Sequence, residues 1–274
     1  MGRFLRAWQA GLTAAALMSS GMAAAQAVGI NAAIRNTVTM KTRADAVPRP
    51  AVLKERVSLG DQIRTAQASV LQVVLLDRTN FTVGANARVT IDRFVYDPSR
   101  SASAVGASVA RGAFRFISAK SLHNMPGQSA VTTPVASIGV RGTIFEGVVG
   151  PDAVRIALGE AGLGTKGAPD GETATLVVLR GPGAGVPGET PGAIDVTANG
   201  ETIPVERPGL AVFIPGPHQP PIGPFALSDK GLLALDDLLR TTPDARSGAG
   251  GIDPQGNPIV DTTLEVLPPN NRGD

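Results

Sequence analysis

The chain has 274 residues, no cysteine, and 25 lysines and arginines against 23 aspartates and glutamates, for a formal charge of +2. Disulfides, thiolate metal centres and cysteine nucleophiles are therefore excluded. The positive excess comes from Arg3 and Arg6 alone, so the remainder lacks the clustered basic surplus of a nucleic-acid footprint, and no nucleic-acid partner is expected.

Residues 1–27, MGRFLRAWQAGLTAAALMSSGMAAAQA, place two arginines ahead of an apolar stretch and end in the small residues Ala25 and Ala27. This is the pattern of a secretory leader, with cleavage expected after Ala27 and export to the periplasm or beyond. An uncleaved anchor is the alternative. The apolar part is short and broken by Ser19, Ser20 and Gly21, whereas a membrane span needs about 20 strongly apolar residues. The roughly 247 residues that follow allow one large domain or two smaller ones.

From Val28 to Leu158 the chain alternates short runs rich in Val, Ile, Thr and Phe with turn residues, the texture of many short strands. VLQVVLLD (Val70 to Asp77) is nearly all apolar. NFTVGA and RVTIDRFVY alternate with period two, but Val89, Ile91, Phe94 and Tyr96 do not share one parity, which predicts a bulge near Asp92. GAFRFISAK places Phe114 and Phe116 on one face and Arg115 and Ile117 on the other. Residues 159–224 are dense in glycine and proline, yet ATLVVLRG and AIDVTANGETIPV read as further strands, the second with an Asn199-Gly200 hairpin turn. They are expected to continue the same architecture. Residues 225–274 hold one helix, SDKGLLALDDLLRTTP, capped by Ser228 or Asp229 and stopped by Pro243, and then a polar tail. The expected fold is all-β, a solenoid-like stack of short strands with one C-terminal α-helix.

Motifs for chemistry are weak. Two G-x-G-x-x-G matches, at Gly162-Gly164-Gly167 and Gly183-Gly185-Gly188, are followed or interrupted by Pro169 and Pro187 and read as loops. The two histidines, His123 and His218, lie far apart beside prolines, and the acidic residues Asp92, Asp97, Glu146, Asp152 and Glu160 form no hydrolytic pair by pattern. No metal, cofactor or catalytic residue is expected, and the terminal Arg272 to Asp274 triplet reads as tail.

The most informative segment is PVASIGVRGTIFEG. Read as one strand, it turns Ile138, Val140, Gly142 and Ile144 one way and Ser137, Gly139, Arg141, Thr143 and Phe145 the other. Gly139 leaves room beside Arg141, and Gly142 admits a second backbone layer. Arg141 needs a carboxylate or carbonyls as partners, either from the protein, as a structural arginine, or from a bound anion. Arg141, Gly139, Gly142 and Thr143 are the candidate residues for either role.

An ordered set of motifs resembles the FecR family domain over residues 28–149. It comprises Gly60, Asp61, Ile63 and Thr65; Asp77, Thr79, Phe81 and Val83; Asn86 and Val89; Gly112, Phe114 and Phe116; and Thr133, Pro134, Ala136 and Gly139 through Thr143 with Phe145. The resemblance implies a periplasmic solenoid-like β domain. In the iron-citrate system for which the family is named, that domain passes a signal from an outer-membrane receptor to a sigma-factor regulator. A leader stands here where that arrangement has an anti-sigma segment and anchor. The chain therefore reads as a free-standing exported relative, a non-enzymatic sensor or scaffold acting through protein contact in the envelope. Its expected partner is an envelope protein such as an outer-membrane receptor or regulator, in signalling linked to iron uptake, and an exposed sheet edge is the expected contact. The alternatives are a periplasmic binder of an anion or iron chelate, and a surface or matrix component.

Overall fold

A computed structural model describes residues 26–120, 122, 127–164, 167–182 and 192–240. The expected leader up to Ala25, His123, the second glycine motif, Pro243 and the tail lie outside them. In chain order the strands begin with β1 (Ala27–Arg35), β2 (Val38–Lys41), β3 (Arg49–Pro50), β4 (Arg56–Ser58), β5 (Gln62–Thr65) and β6 (Val70–Leu75). They continue with β7 (Asn80–Val83), β8 (Arg88–Asp97), β9 (Ala102–Ile117), β10 (Ser129–Thr132), β11 (Ser137–Arg141) and β12 (Ile144–Val149). Helix α1 (Pro151–Ala157) follows, then β13 (Thr175–Gly181), β14 (Ala193–Ala198), β15 (Glu201–Val205), β16 (Leu210–Ile214), β17 (Ile222–Ala226) and α2 (Asp229–Leu239).

The strands make two sheets that share one strand. The first runs β4-β1-β6-β7-β9-β12-β13-β16-β17. The second runs β3-β2-β5-β8-β9-β10-β11-β14-β15. The shared strand β9 has 16 residues: Ala102 to Arg111 pair in the second sheet and Gly112 to Ile117 in the first. Gly112, at φ 82°, makes the turn between them.

The inner faces of both sheets feed one core, in which Ile63, Val89, Ile138, Val140 and Ile194 of the second sheet meet Leu71, Phe81, Phe114, Phe116 and Phe145 of the first. Four of the phenylalanines interlock, with Phe81 and Phe114 stacked at 6.2 Å and Phe114 and Phe145 edge to face at 6.0 Å. A second core lies on the outer face of the first sheet, where Ile156 of α1 and Leu235 and Leu239 of α2 cover Ala113, Val148, Leu176 and Phe213.

Three expectations change. The described strands pair antiparallel except at β9–β10, which is the pattern of two facing sheets and not of the parallel rungs of a β-helix. Helices number two among the described residues, not one. α1 is only seven residues long, with Pro151 at its first position directly after Gly150 at φ 100°, too short for a 3.6-residue period to show. PVASIGVRGTIFEG is not one strand either. It breaks at Gly142, at φ 61°, and passes from β11 in the second sheet to β12 in the first, so Ile138, Val140 and Phe145 all reach the core despite their different parity.

Other sequence features sit in this frame as follows. The shift near Asp92 is a register irregularity between Ile91 and Arg93. β13 and β14 join β12 and β11, so the glycine- and proline-rich region adds strands to both sheets. Ala27 is the first residue of β1, opposite Ser58, so the expected end of the leader falls at the edge of the fold. No described helix is long and apolar enough to cross a membrane.

A candidate functional site beneath the C-terminal helix

The motif residues serve as ties at turns. Asp61 is buried and accepts the Ser58 N–H at 2.8 Å. The Thr65 hydroxyl donates to the Gly84 carbonyl and accepts the Ala87 N–H at 2.8 Å. Asp77 accepts both the N–H and the hydroxyl of Thr79 at 2.9 Å. At the corner between β11 and β12, the buried Thr143 hydroxyl donates to the Gly181 carbonyl at 3.1 Å, and Gly192 packs so closely on the Gly142 carbonyl that a Cβ would overlap it.

Arg141 ends β11 with its side chain 39% exposed, donating to Asp195 Oδ1 at 3.0 Å and lying 3.5 Å from Glu206. Gly139 stands opposite Asp195, and a Cβ there would be in ordinary contact with it at 3.7 Å. Both carboxylates face Nη2, while the buried Nε has no hydrogen-bond partner. An exposed pair of this kind contributes little. Arg141→Ala is expected to cost under about 1 kcal/mol in denaturant titration with the fold retained; a loss of folding would instead make Arg141 indispensable to the corner.

The structure assembles a charge cluster that pattern alone did not bring together. On the outer face of the first sheet, Arg115 of β9 stands directly opposite Glu146 of β12. Arg115 Nε donates to Glu146 Oε1 at 2.6 Å, and Arg180 Nε of β13 lies 3.5 Å from Glu146 Oε2. Asp236 of α2 closes the group, accepting from Arg115 Nη2 at 3.2 Å and from Arg180 Nη2 at 3.3 Å. Glu146 is 1% exposed, while the guanidiniums keep 20% and 26% of their side-chain surface. Burial pushes the Glu146 carboxyl above its ordinary value, against the pull of Arg115 and Arg180. The alternation Phe114-Arg115-Phe116 and Phe145-Glu146 was the available signal, since Arg115 sits between two core phenylalanines and Glu146 directly follows a third.

α2 reaches this place through its own sequence. Ser228 caps it, its Oγ accepting the Gly231 N–H at 3.1 Å and donating to Glu160 Oε1 at 2.8 Å. Leu235 and Leu239 bury one stripe, and Asp236 on the flank meets the arginines. Near its end, the Leu238 carbonyl accepts the Ala85 N–H at 2.8 Å. A cleft of about 460 Å³ remains beside the helix, lined by Arg115, Ile117, Ile144, Glu146, Arg180 and Leu232 among others. With two positive and two negative groups, the cluster is suited to clamping a helix. No group of histidines and carboxylates able to hold a metal occurs among the described residues.

A family model described as FecR protein matches residues 61–161, which include Arg115 and Glu146 but not Arg180 or Asp236. No curated protein matches. Among solved structures, two crystal structures, at 1.65 and 2.50 Å, of a protein described as a "putative anti-sigma factor" from Parabacteroides distasonis ATCC 8503 are similar, with 14% and 13% identity and TM-scores of 0.37 and 0.38. Each match covers 59% of this chain and 57% of that chain, so the chain spans little more than half the length of those structures. The chain thus carries a match to the FecR domain over residues 61–161.

Proposed function

We propose that this protein is a non-enzymatic regulatory domain of the cell envelope, exported by its leader, that senses or scaffolds through contact with another envelope protein in signalling linked to iron uptake. The FecR match carries this reading. The shape of the sheet edges refines how contact is made. The edge strands β3 and β4 have two and three residues, and β15 and β17 carry Pro204 and Pro224. Short and proline-bearing edges resist strand addition, so the contact runs through side chains.

The exposed apolar group at one corner of the first sheet supplies them. Ile30, Val52, Leu53 and Leu76 are between 42% and 58% exposed. They are gathered by the Ile30–Val74 pairing, the Lys54 N–H to Asn31 carbonyl bond and the Leu76 N–H to Val28 carbonyl bond. Apolar exposure of this kind marks interaction surfaces. A photocrosslinker placed at Leu53 in intact cells is expected to trap a discrete envelope protein, and one placed at Thr202, on the far sheet, is not. Equal labelling at both positions, or none at Leu53, overturns the proposal.

A further inference from the structure

The outer face of the second sheet carries two rows that cross its strands. In the first, Arg64 of β5 stands directly opposite Arg88 of β8, which stands opposite Arg111 of β9. Like charges directly opposite on neighbouring strands repel and destabilise. Arg111 is paired with Glu172 at 3.1 Å, but Arg64 and Arg88 are exposed and have no ion pair or hydrogen bond among the described residues. Further along the same strands, Lys41, opposite Gln62, and Arg43 line a cleft of about 280 Å³. The one carboxylate there, Asp45, is already engaged by the Thr42 N–H at 2.9 Å and by Arg49 at 3.3 Å.

The second row starts at that basic end and is made of hydroxyls and an amide. Gln62, Thr90, Ser108, Thr132, Ser137 and Thr197 follow one another in register across β5, β8, β9, β10, β11 and β14. Ser108 donates to Asp92 Oδ2, a carboxylate beside the row, and lies 3.0 Å from Thr132 Oγ1, which also reaches the Ala107 carbonyl at 3.3 Å, so these two offer a ligand acceptor capacity while Gln62, Thr90 and Ser137 supply the donors. None of the exposed large apolar side chains falls in either row.

We infer that this face binds a linear acidic glycan. The arginines hold its carboxylates, and the adjacent row accepts and donates to its hydroxyls. Adjacent strands lie about 4.8 Å apart, so both rows present groups at a regular step along one line across the sheet, as a polymer of short repeats requires. Val95 and Tyr96 are exposed further along β8, but neither row carries the apolar or aromatic centre that a protein interface needs, so a folded protein partner fits less well. The surface lies on the opposite side of the sandwich from the α2 cluster and does not depend on the contact proposed above.

The test uses the full mature chain and oligogalacturonate of defined length in titration calorimetry at low salt, with neutral dextran, poly-L-glutamate and phosphatidylglycerol vesicles as comparison ligands. Binding of oligogalacturonate is expected, weakened by added salt, and reduced at least roughly tenfold by Arg64→Gln with Arg88→Gln, given that each charge-assisted hydrogen bond is worth a factor of that order. The double variant should melt at the same temperature as the parent or higher, since it removes a like-charge contact, and Arg155→Gln on α1 should bind as the parent does. The inference is overturned by absence of binding at low salt or by undiminished binding in the double variant. It is equally overturned if poly-L-glutamate or the vesicles bind more tightly than the glycan, which would assign the face to an acidic protein or to a membrane surface.

Discussion

Gly112→Ala is expected to destabilise the protein by about 4 kcal/mol or more, enough to unfold a domain of ordinary stability. Gly112 is the residue at which β9 leaves one sheet and enters the other, at φ 82°. A Cβ there would overlap the Ala87 backbone and stand 2.5 Å from the Asn86 carbonyl carbon. Neither neighbour can yield, because Ala87 N–H is tied to the Thr65 hydroxyl and Asn86 N–H to the Ala66 carbonyl. Two costs therefore add, the left-handed backbone and the backbone collision. Gly200→Ala separates them: its φ is 80°, but no atom lies within 4 Å of its Cβ position, so it should cost only about 1 kcal/mol. Denaturant midpoints of the two variants measure the difference. A Gly112→Ala protein within 1 kcal/mol of the parent would mean that the crossing strand is not the rigid link between the sheets.

What the sequence reveals follows from how local each feature is. The alternation around Phe114 and Phe116 is legible because both residues face the same core, and the parity shift at Asp92 is legible because a bulge changes the period within a few residues. The cap at Ser228 needs only Gly231, three residues on. The corner at Gly142 is harder, since Gly, Thr and alternating apolar residues suit a continuous strand. What breaks the strand is its capture by Gly181 and Gly192, which come later in the chain. Arg141 drew attention as a charged residue in an apolar run, yet it ends at a rim beside Asp195 and Glu206. The deeper cluster joins Arg115 to Asp236 across 121 positions. Nothing local marks those two residues as partners, and only the arrival of α2 over the sheet does.

Removing Arg115 should therefore cost more than removing Arg141, and in a pH-dependent way. In Arg115→Met, Glu146 stays buried at 1% exposure with only Arg180 beside it, and Asp236 loses one of its two anchors. Loss of one partner from a fully buried pair costs about 3–5 kcal/mol. Here Arg180 remains and the guanidiniums are partly solvated, so about 2–3 kcal/mol at neutral pH is expected. The sign of the pH effect follows from the Glu146 carboxyl. Its pKa in the fold is already raised above the ordinary 4.5 by burial, and the substitution removes a cation that was lowering it. A carboxyl with a raised folded pKa holds a proton that the unfolded chain has released, so its contribution to stability is fully present below about 4.5 and is lost as pH rises through the folded value. The deficit of Arg115→Met should shrink on acidification toward pH 4.5 and widen above it. Glu146→Gln, which fixes the neutral form, should flatten that dependence, and adding it to Arg115→Met should recover much of the loss at pH 7, giving a coupling that a double-mutant cycle measures directly. Equal deficits at pH 4.5 and pH 7, or additive effects of the two substitutions, would show that Glu146 and Arg115 do not act as a pair and that α2 is held by its leucine stripe alone.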